Sequence, residues 1–188
     1  AEAVFAEKKG KLMRIPGVGN IISGYISSFS DFERAEQEWE FITRHQIRPY
    51  FFTDENYPYR LKECADAPLI FYFKGNADLN HHRMVSIVGT RKATDYGKLF
   101  CAALVEALAP HEVIVISGLA YGIDIAAHRA ALANGVPTVG VLAHGLDMIY
   151  PPPHYNISVK MQENGGILSE YMGGCEPEKE HFPDRNRI

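Results

Sequence analysis

Between residues 84 and 170 the sequence repeats one pattern: a short, nearly unbroken apolar run, a turn, then a stretch with helical spacing. The runs are "MVSIVG", "VIVIS", "TVGVLA" and "GILSE", and the segments between them predict helices over 96–108 and 123–134 and around "HYNISVKMQEN". Runs this short and this apolar fit strands buried on both faces. Strands that alternate with helices pair in parallel, because each helix supplies the crossover to the next strand. The pattern predicts an α/β fold with an extended, Rossmann-like parallel sheet, both faces covered, and ligands bound beyond the carboxyl ends of the strands.

The chain ahead of that sheet has a different character. "LMRIPGVGNIISGYI" and "DFERAEQEWEFITRH" read as helices, with Asp31 placed to cap the second. In "IPGVG", Pro16 opens a turn while Gly17 and Gly19 supply backbone freedom, the pattern of a helix-hairpin-helix. Such a hairpin either packs two helices together or offers backbone N–H groups to a phosphate of duplex DNA, so Gly17 and Gly19 are candidate contacts. The expected division is a small helical domain over 1–45 and an α/β domain over 46–188. The latter opens with two aromatic-rich strands near Tyr50–Phe52 and Leu69–Phe73.

Composition narrows the function classes. With 188 residues, 46% of them hydrophobic, the chain can bury a core, and its net charge of -4 leaves any nucleic-acid contact to a local basic patch. Three cysteines, Cys64, Cys101 and Cys175, are too few and too scattered for a disulfide framework or a zinc site, and suit a reducing cytoplasm. His81, His82, His144, His154 and His181 have no metal-ligand spacing, so neither metal nor cofactor is expected. No apolar run approaches the ~20 residues that span a bilayer. "FPDRNRI" stops in what reads as the start of a helix, as a fragment of a longer protein would.

Chemistry concentrates in the loops after the strands. "GTRKATDYG" places Gly89, Thr90, Arg91 and Lys92 ahead of a helix: backbone donors, a hydroxyl, a guanidinium and an ammonium, suited to a phosphate. It is neither GxGxxG nor GxxxxGK[ST]. "SGLAYGIDIAAH" frames its turn with Gly118 and Gly122, and here Asp124 is expected to cap the helix, with His128 making a helix-facing contact rather than forming an acid–base pair. Ser117 lacks the GxSxG elbow of a nucleophile. In "EPEKEHFPDRNRI", cations interleave with Phe182, a combination used on single strands, although four acidic neighbours fit a solvated loop equally well.

Taken together and in order, "IVGTRKATDYG", "VISGLAYGIDIAAHRAAL", "VGVLAHGLDMIYP", "GGILSEY" and "HFPDRNRI" resemble the DNA-processing protein A (DprA, also called Smf) family of bacteria. Upstream, "NYPYRLKECADAPLIFYFKGN" is similar to that family's approach to its Rossmann core, and the first 45 residues correspond to its sterile-alpha-motif-like or helix-hairpin-helix domain.

The resemblance implies a non-enzymatic, cytoplasmic protein that binds single-stranded DNA in natural transformation, loads the RecA recombinase and forms a homodimer when full length. Carried over by position, Gly89, Thr90 and Arg91 would hold a phosphate with Lys92 beside them. Lys179 and Phe182 would supply a cation and a stacking platform, and Arg185, Asn186 and Arg187 would complete the pocket. Gly118 and Tyr121 fall in the second loop, where many relatives have Lys or Arg in place of the tyrosine. The competing class is a nucleotide-binding or nucleotide-hydrolysing enzyme of the same superfamily. Its PGGxGTxxE segment does not occur here, leaving Glu170 as the carboxylate to consider.

Overall fold

The computed structural model describes the backbone of residues 2–188 and the side chains of residues 3–188. The chain divides into two compact units, residues 1–39 and 40–188. In the first, α1 (Glu2–Phe5) and α2 (Lys9–Leu12) are followed by α3 (Asn20–Ser28), and α4 (Glu33–Arg44) runs on into the second unit. Between α2 and α3 the Val18 N–H donates to Ile15 O at 3.0 Å, and Gly17 takes a φ of 86°. Gly19 caps α3 with extended backbone and no side-chain bond. Asp31 Oδ1 accepts the Glu33 N–H at 3.2 Å, but from one residue ahead of the cap position, which Phe32 occupies with its carbonyl accepting the Glu36 N–H at 2.9 Å.

The second unit holds a six-stranded sheet. Its strands are β1 (Arg48–Phe51), β2 (Ile70–Gly75), β3 (Met84–Ser86), β4 (Ile114–Ser117), β5 (Thr138–Leu142) and β6 (Gly165–Ser169), in the spatial order β1-β2-β6-β5-β4-β3. The last four pair in parallel, and β2 joins β6 and β1 in antiparallel register, so the aromatic strands extend the sheet. The connecting helices are α6 (Asp95–Leu108), α7 (Ile123–Ala133) and α8 (Tyr155–Glu163), preceded by the short α5 (Tyr59–Lys62) and followed by α9 (His181–Arg185).

Four parallel strands laid down in consecutive order wind in one direction, and crossovers of one hand then place their helices on one face. Alternation along β4 separates the two faces: Val115 packs with Cys101 and Val105 of α6 and Ala127 and Ala131 of α7, whereas Ile114 packs with Tyr50, Tyr57, Phe71 and Phe73. Met161 of α8 joins the helical side against Leu142 and Ile167. Both faces are therefore covered, but helices cover one and the aromatic 50–79 segment covers the other. Every residue of β5 and β6 is buried, as their apolar runs require. Among the described residues no helix is long and apolar enough to cross a membrane, and no group of three His, Cys, Asp or Glu side chains is placed to hold a metal ion.

Candidate functional site

The loops that leave β3 and β4 interlock. Thr90 O accepts the Ile123 N–H at 3.2 Å, and Gly122, at φ 85°, brings its bare Cα against the same backbone. A Cβ on Gly122 would stand 2.0 Å from Thr90 O, so glycine is required by space as well as by backbone angle. Gly89 faces the Ile123 side chain closely too, with a would-be Cβ 2.6 Å from Cγ1. Thr90 Oγ1 accepts the Lys92 N–H at 3.2 Å and Thr94 Oγ1 caps α6 by accepting the Gly97 N–H at 3.1 Å. Both hydroxyls shape the loop, and the Arg91 side chain projects from it.

Arg91 lies at the mouth of a cleft of about 520 Å³ bounded by Gly89, Gly118, Asp124, Phe182, Arg185 and Asn186, with Val88, Ile116 and Val141 among its apolar walls. That volume is ordinary for a small-ligand site. Arg91 is exposed and makes no hydrogen bond or ion pair to the described residues; its guanidinium sits over the Phe182 ring, 4.9 Å from the centroid. Tyr150 tilts toward the same ring at 6.3 Å. The stacking platform expected at Phe182 thus carries an arginine on it.

The two arginines of the last segment are turned inward. Arg185 is 8% exposed: Nη1 donates to Gly118 O at 2.9 Å and to Val141 O, and Nε donates to Asn186 Oδ1 at 3.1 Å. These bonds tie the chain's end to the carboxyl ends of β4 and β5. Burial holds Arg185 below the ordinary guanidinium pKa, while the Asp124 charge acts in the opposite sense. Arg187 pairs with both oxygens of Glu170, at 2.7 and 2.5 Å, and its Nε donates to Asp66 O at 2.8 Å. It borders the cleft with its donors already engaged.

Expected site residues therefore separate into groups. Gly89, Arg91, Gly118, Phe182, Arg185, Asn186 and Arg187 come together around one cleft, whereas Thr90, Lys92, Tyr121 and Lys179 do not line it. Lys92 and Lys179 are exposed, and Tyr121 stands edge-on to His154 at 5.0 Å. Gly17 and Gly19 belong to the other unit.

The Asp124 cap is a correction. The helix begins at Ile123 with Gly122 as its cap, so Asp124 lies inside the first turn, and its carboxylate lines the cleft 6% exposed without a protein hydrogen bond. His128 does not meet it. Fully buried, His128 donates through Nδ1 to Thr138 Oγ1 at 2.7 Å, a hydroxyl that itself donates to Val115 O. Ser117 donates to Ile87 O at 2.6 Å and is buried, a structural use of the hydroxyl. Nothing in the spacing of Asp124 pointed to the cleft; its position follows from the Gly122 backbone, which starts the helix two residues earlier than a cap at Asp124 would.

A family model for DNA recombination-mediator protein A matches residues 48–188. The DNA processing protein DprA of Streptococcus pneumoniae is 42% identical over 135 residues, 72% of this chain and 48% of that protein. Protein Smf of Escherichia coli is 38% identical over 136 residues, 71% of this chain and 36% of the other. The crystal structure of the S. pneumoniae DNA processing protein A superposes with a TM-score of 0.81 at 31% identity, covering 96% of this chain and 62% of that one. A Helicobacter pylori DNA processing protein A structure, described for its single-stranded DNA binding mode, gives 0.67 at 33% identity over 75% of this chain and 63% of its own. This chain spans about half the length of the S. pneumoniae relative.

Proposed function

The chain belongs to the DNA recombination-mediator protein A family, and from that premise we propose that it binds single-stranded DNA at the cleft between the first two loops and α9. One observation carries the reading: Arg91 is an exposed cation without an ionic partner, seated on an aromatic ring at the mouth of a cleft with apolar walls. A phosphate supplies the missing charge, and the Phe182 face and the apolar walls suit an unpaired base. The single-stranded DNA binding described for the H. pylori relative supports the same assignment.

The proposal extends to a binding protein rather than an enzyme. Glu170, the carboxylate a hydrolytic reading needs, is held by Arg187 on both oxygens. We read the parallel half of the sheet as Rossmann-like, and the turn carrying Gly17 and Gly19 as a helix-hairpin-helix in a small helical domain. Cytoplasmic RecA loading in natural transformation and homodimer formation are the parts that rest on family membership; RecA nucleation on coated single strands and light scattering test them.

The direct test is fluorescence anisotropy with labelled oligo-dT, a matched duplex and a mononucleotide across a salt series. Tighter, salt-sensitive binding of the single strand is the expected result. Retained mononucleotide binding with no preference for a strand would replace this reading with a nucleotide-binding one.

A further inference from the structure

Helix α6 is apolar on two sides, and the protein covers one of them. Cys101 and Val105 are buried against β4 and α7, in the cluster that holds Val115 and Ala127. The other side carries Tyr96, Leu99, Phe100, Ala103, Leu104 and Ala107, all exposed, with Tyr96 and Phe100 at 77 and 60%. Charge along the helix is confined to Asp95, Lys98 and Glu106. A helix this apolar belongs in an interior, and monomers rarely leave so many large apolar side chains contiguous in water.

Large and small residues are sorted on that face. Tyr96, Phe100 and Leu104 follow one another at i, i+4 spacing and form a ridge, with the two aromatic rings stacked at 6.4 Å. The neighbouring row is Leu99, Ala103 and Ala107, a groove beyond its first residue. The rings thus stand toward the start of the helix and the groove toward its end. A second α6, turned antiparallel about a two-fold axis between Cys101 and Ala102, sets Tyr96 against Ala107, Phe100 against Ala103 and Leu99 against Leu104. Every side chain of the face then has its counterpart, and no two like charges are brought level.

We propose that this face of α6 docks the α6 of a second copy of the chain, the two helices antiparallel about that axis. The inference rests on the homodimer reading and names the surface that would form it. Covering the six residues removes roughly 500–600 Å² per copy from water, about 1,000–1,200 Å² in all, at the low end of what specific protein pairs bury. The pairing is therefore weak and reversible. None of the six residues lines the cleft, so pairing and strand binding use different side chains.

Sedimentation of the full chain between about 1 and 300 μM should show a monomer–dimer equilibrium. Phe100→Glu, at a position the fold already exposes, should weaken it by about tenfold or more. Exchanging the opposed residues is the sharper test. Phe100→Ala leaves a hole and Ala103→Phe a clash, so each alone should weaken the dimer, whereas the double variant should restore it. A dimer that none of these changes affects would overturn the α6 face and leave the homodimer reading standing; single losses without rescue would overturn the two-fold register. A monomer at every concentration would overturn the face and the homodimer together. A monomer in which Phe100→Glu lowers oligo-dT affinity would make the ridge a DNA platform instead.

Discussion

Arg187 grips Glu170 through both guanidinium nitrogens, Nη1 to Oε1 at 2.7 Å and Nη2 to Oε2 at 2.5 Å, and so fastens the end of the chain to the segment after β6. Side-chain exposures of 27% and 14% put the pair partly inside the protein. The RNR run places Arg185 and Arg187 among the pocket cations, but tertiary contacts have given each an internal partner. Among the described residues that line the cleft, Arg91 is the arginine without a hydrogen bond or ion pair.

Removing one partner of this pair leaves a half-buried charge uncompensated. Arg187→Ala is expected to cost about 2–3 kcal/mol of stability, read by urea unfolding, with part of the loss recovered in Arg187→Ala/Glu170→Ala. Its effect on the salt dependence of oligo-dT binding should be small. A drop in salt slope as large as that of Arg91→Ala would show that Arg187 neutralises a phosphate after all.

Arg91→Ala should weaken oligo-dT binding and lower the slope of log affinity against log salt by about 0.7, one phosphate contact on a single strand. Phe182→Ala should cost about 1–3 kcal/mol of binding through lost stacking. Because the guanidinium rests on the ring, the two changes should not add, with a coupling of roughly 0.5–1 kcal/mol in a double-mutant cycle. Strict additivity would mean that the two groups touch the strand independently.

Gly122→Ala combines two penalties, a positive φ and a Cβ driven into Thr90 O. We expect about 2–4 kcal/mol of destabilisation and a parallel loss of oligo-dT affinity as the Arg91 loop shifts. Gly135, at φ 67° with nothing within 4 Å of a would-be Cβ, provides the comparison, since its alanine variant should lose only about 1 kcal/mol. Similar losses at the two positions would mean that the loops do not depend on this contact.

His128 is expected to make the protein acid-sensitive. Burial, with a smaller contribution from His154, lowers its pKa to about 3 from an unfolded value near 6.5. The folded state therefore binds this proton later than the unfolded state does. Its contribution is complete above pH 6.5 and falls as the pH drops toward 3, at up to about 1.4 kcal/mol per pH unit. Between pH 7 and pH 5 the wild type should lose about 2 kcal/mol more than His128→Gln in urea unfolding. Equal losses would place the acid sensitivity elsewhere, His144 being the other histidine whose pKa burial lowers.

Much of the sheet was legible because its signals are local. The β5 and β6 runs are apolar apart from Thr138 and Ser169, and they appear as strands buried along their whole length. The predicted helix over 96–108 lies at Asp95–Leu108, started by the Thr94 cap. Less legible was the sheet's other edge: no periodicity in "YFF" or "LIFYF" says that β2 will pair antiparallel with β6, almost a hundred residues later, or that the same aromatic segment will cover a face of the sheet.

The cleft divides along the same line. Gly89, Arg91 and Gly118 could be singled out from the sequence because residue type and position after a strand already imply their use, Phe182 was reached through the family resemblance, and all four border one cavity. Which cations remain available was not encoded locally. Arg91, Arg185 and Arg187 have the same side chain, yet one rests on an aromatic ring, one bonds strand-end carbonyls and one is locked to Glu170. A guanidinium that enters the interior must find acceptors there, and those acceptors are assembled only when distant strand ends converge. The sequence by itself determined the alternation that builds the sheet and the loops that carry the chemistry; the tertiary structure decided which charges those loops keep free.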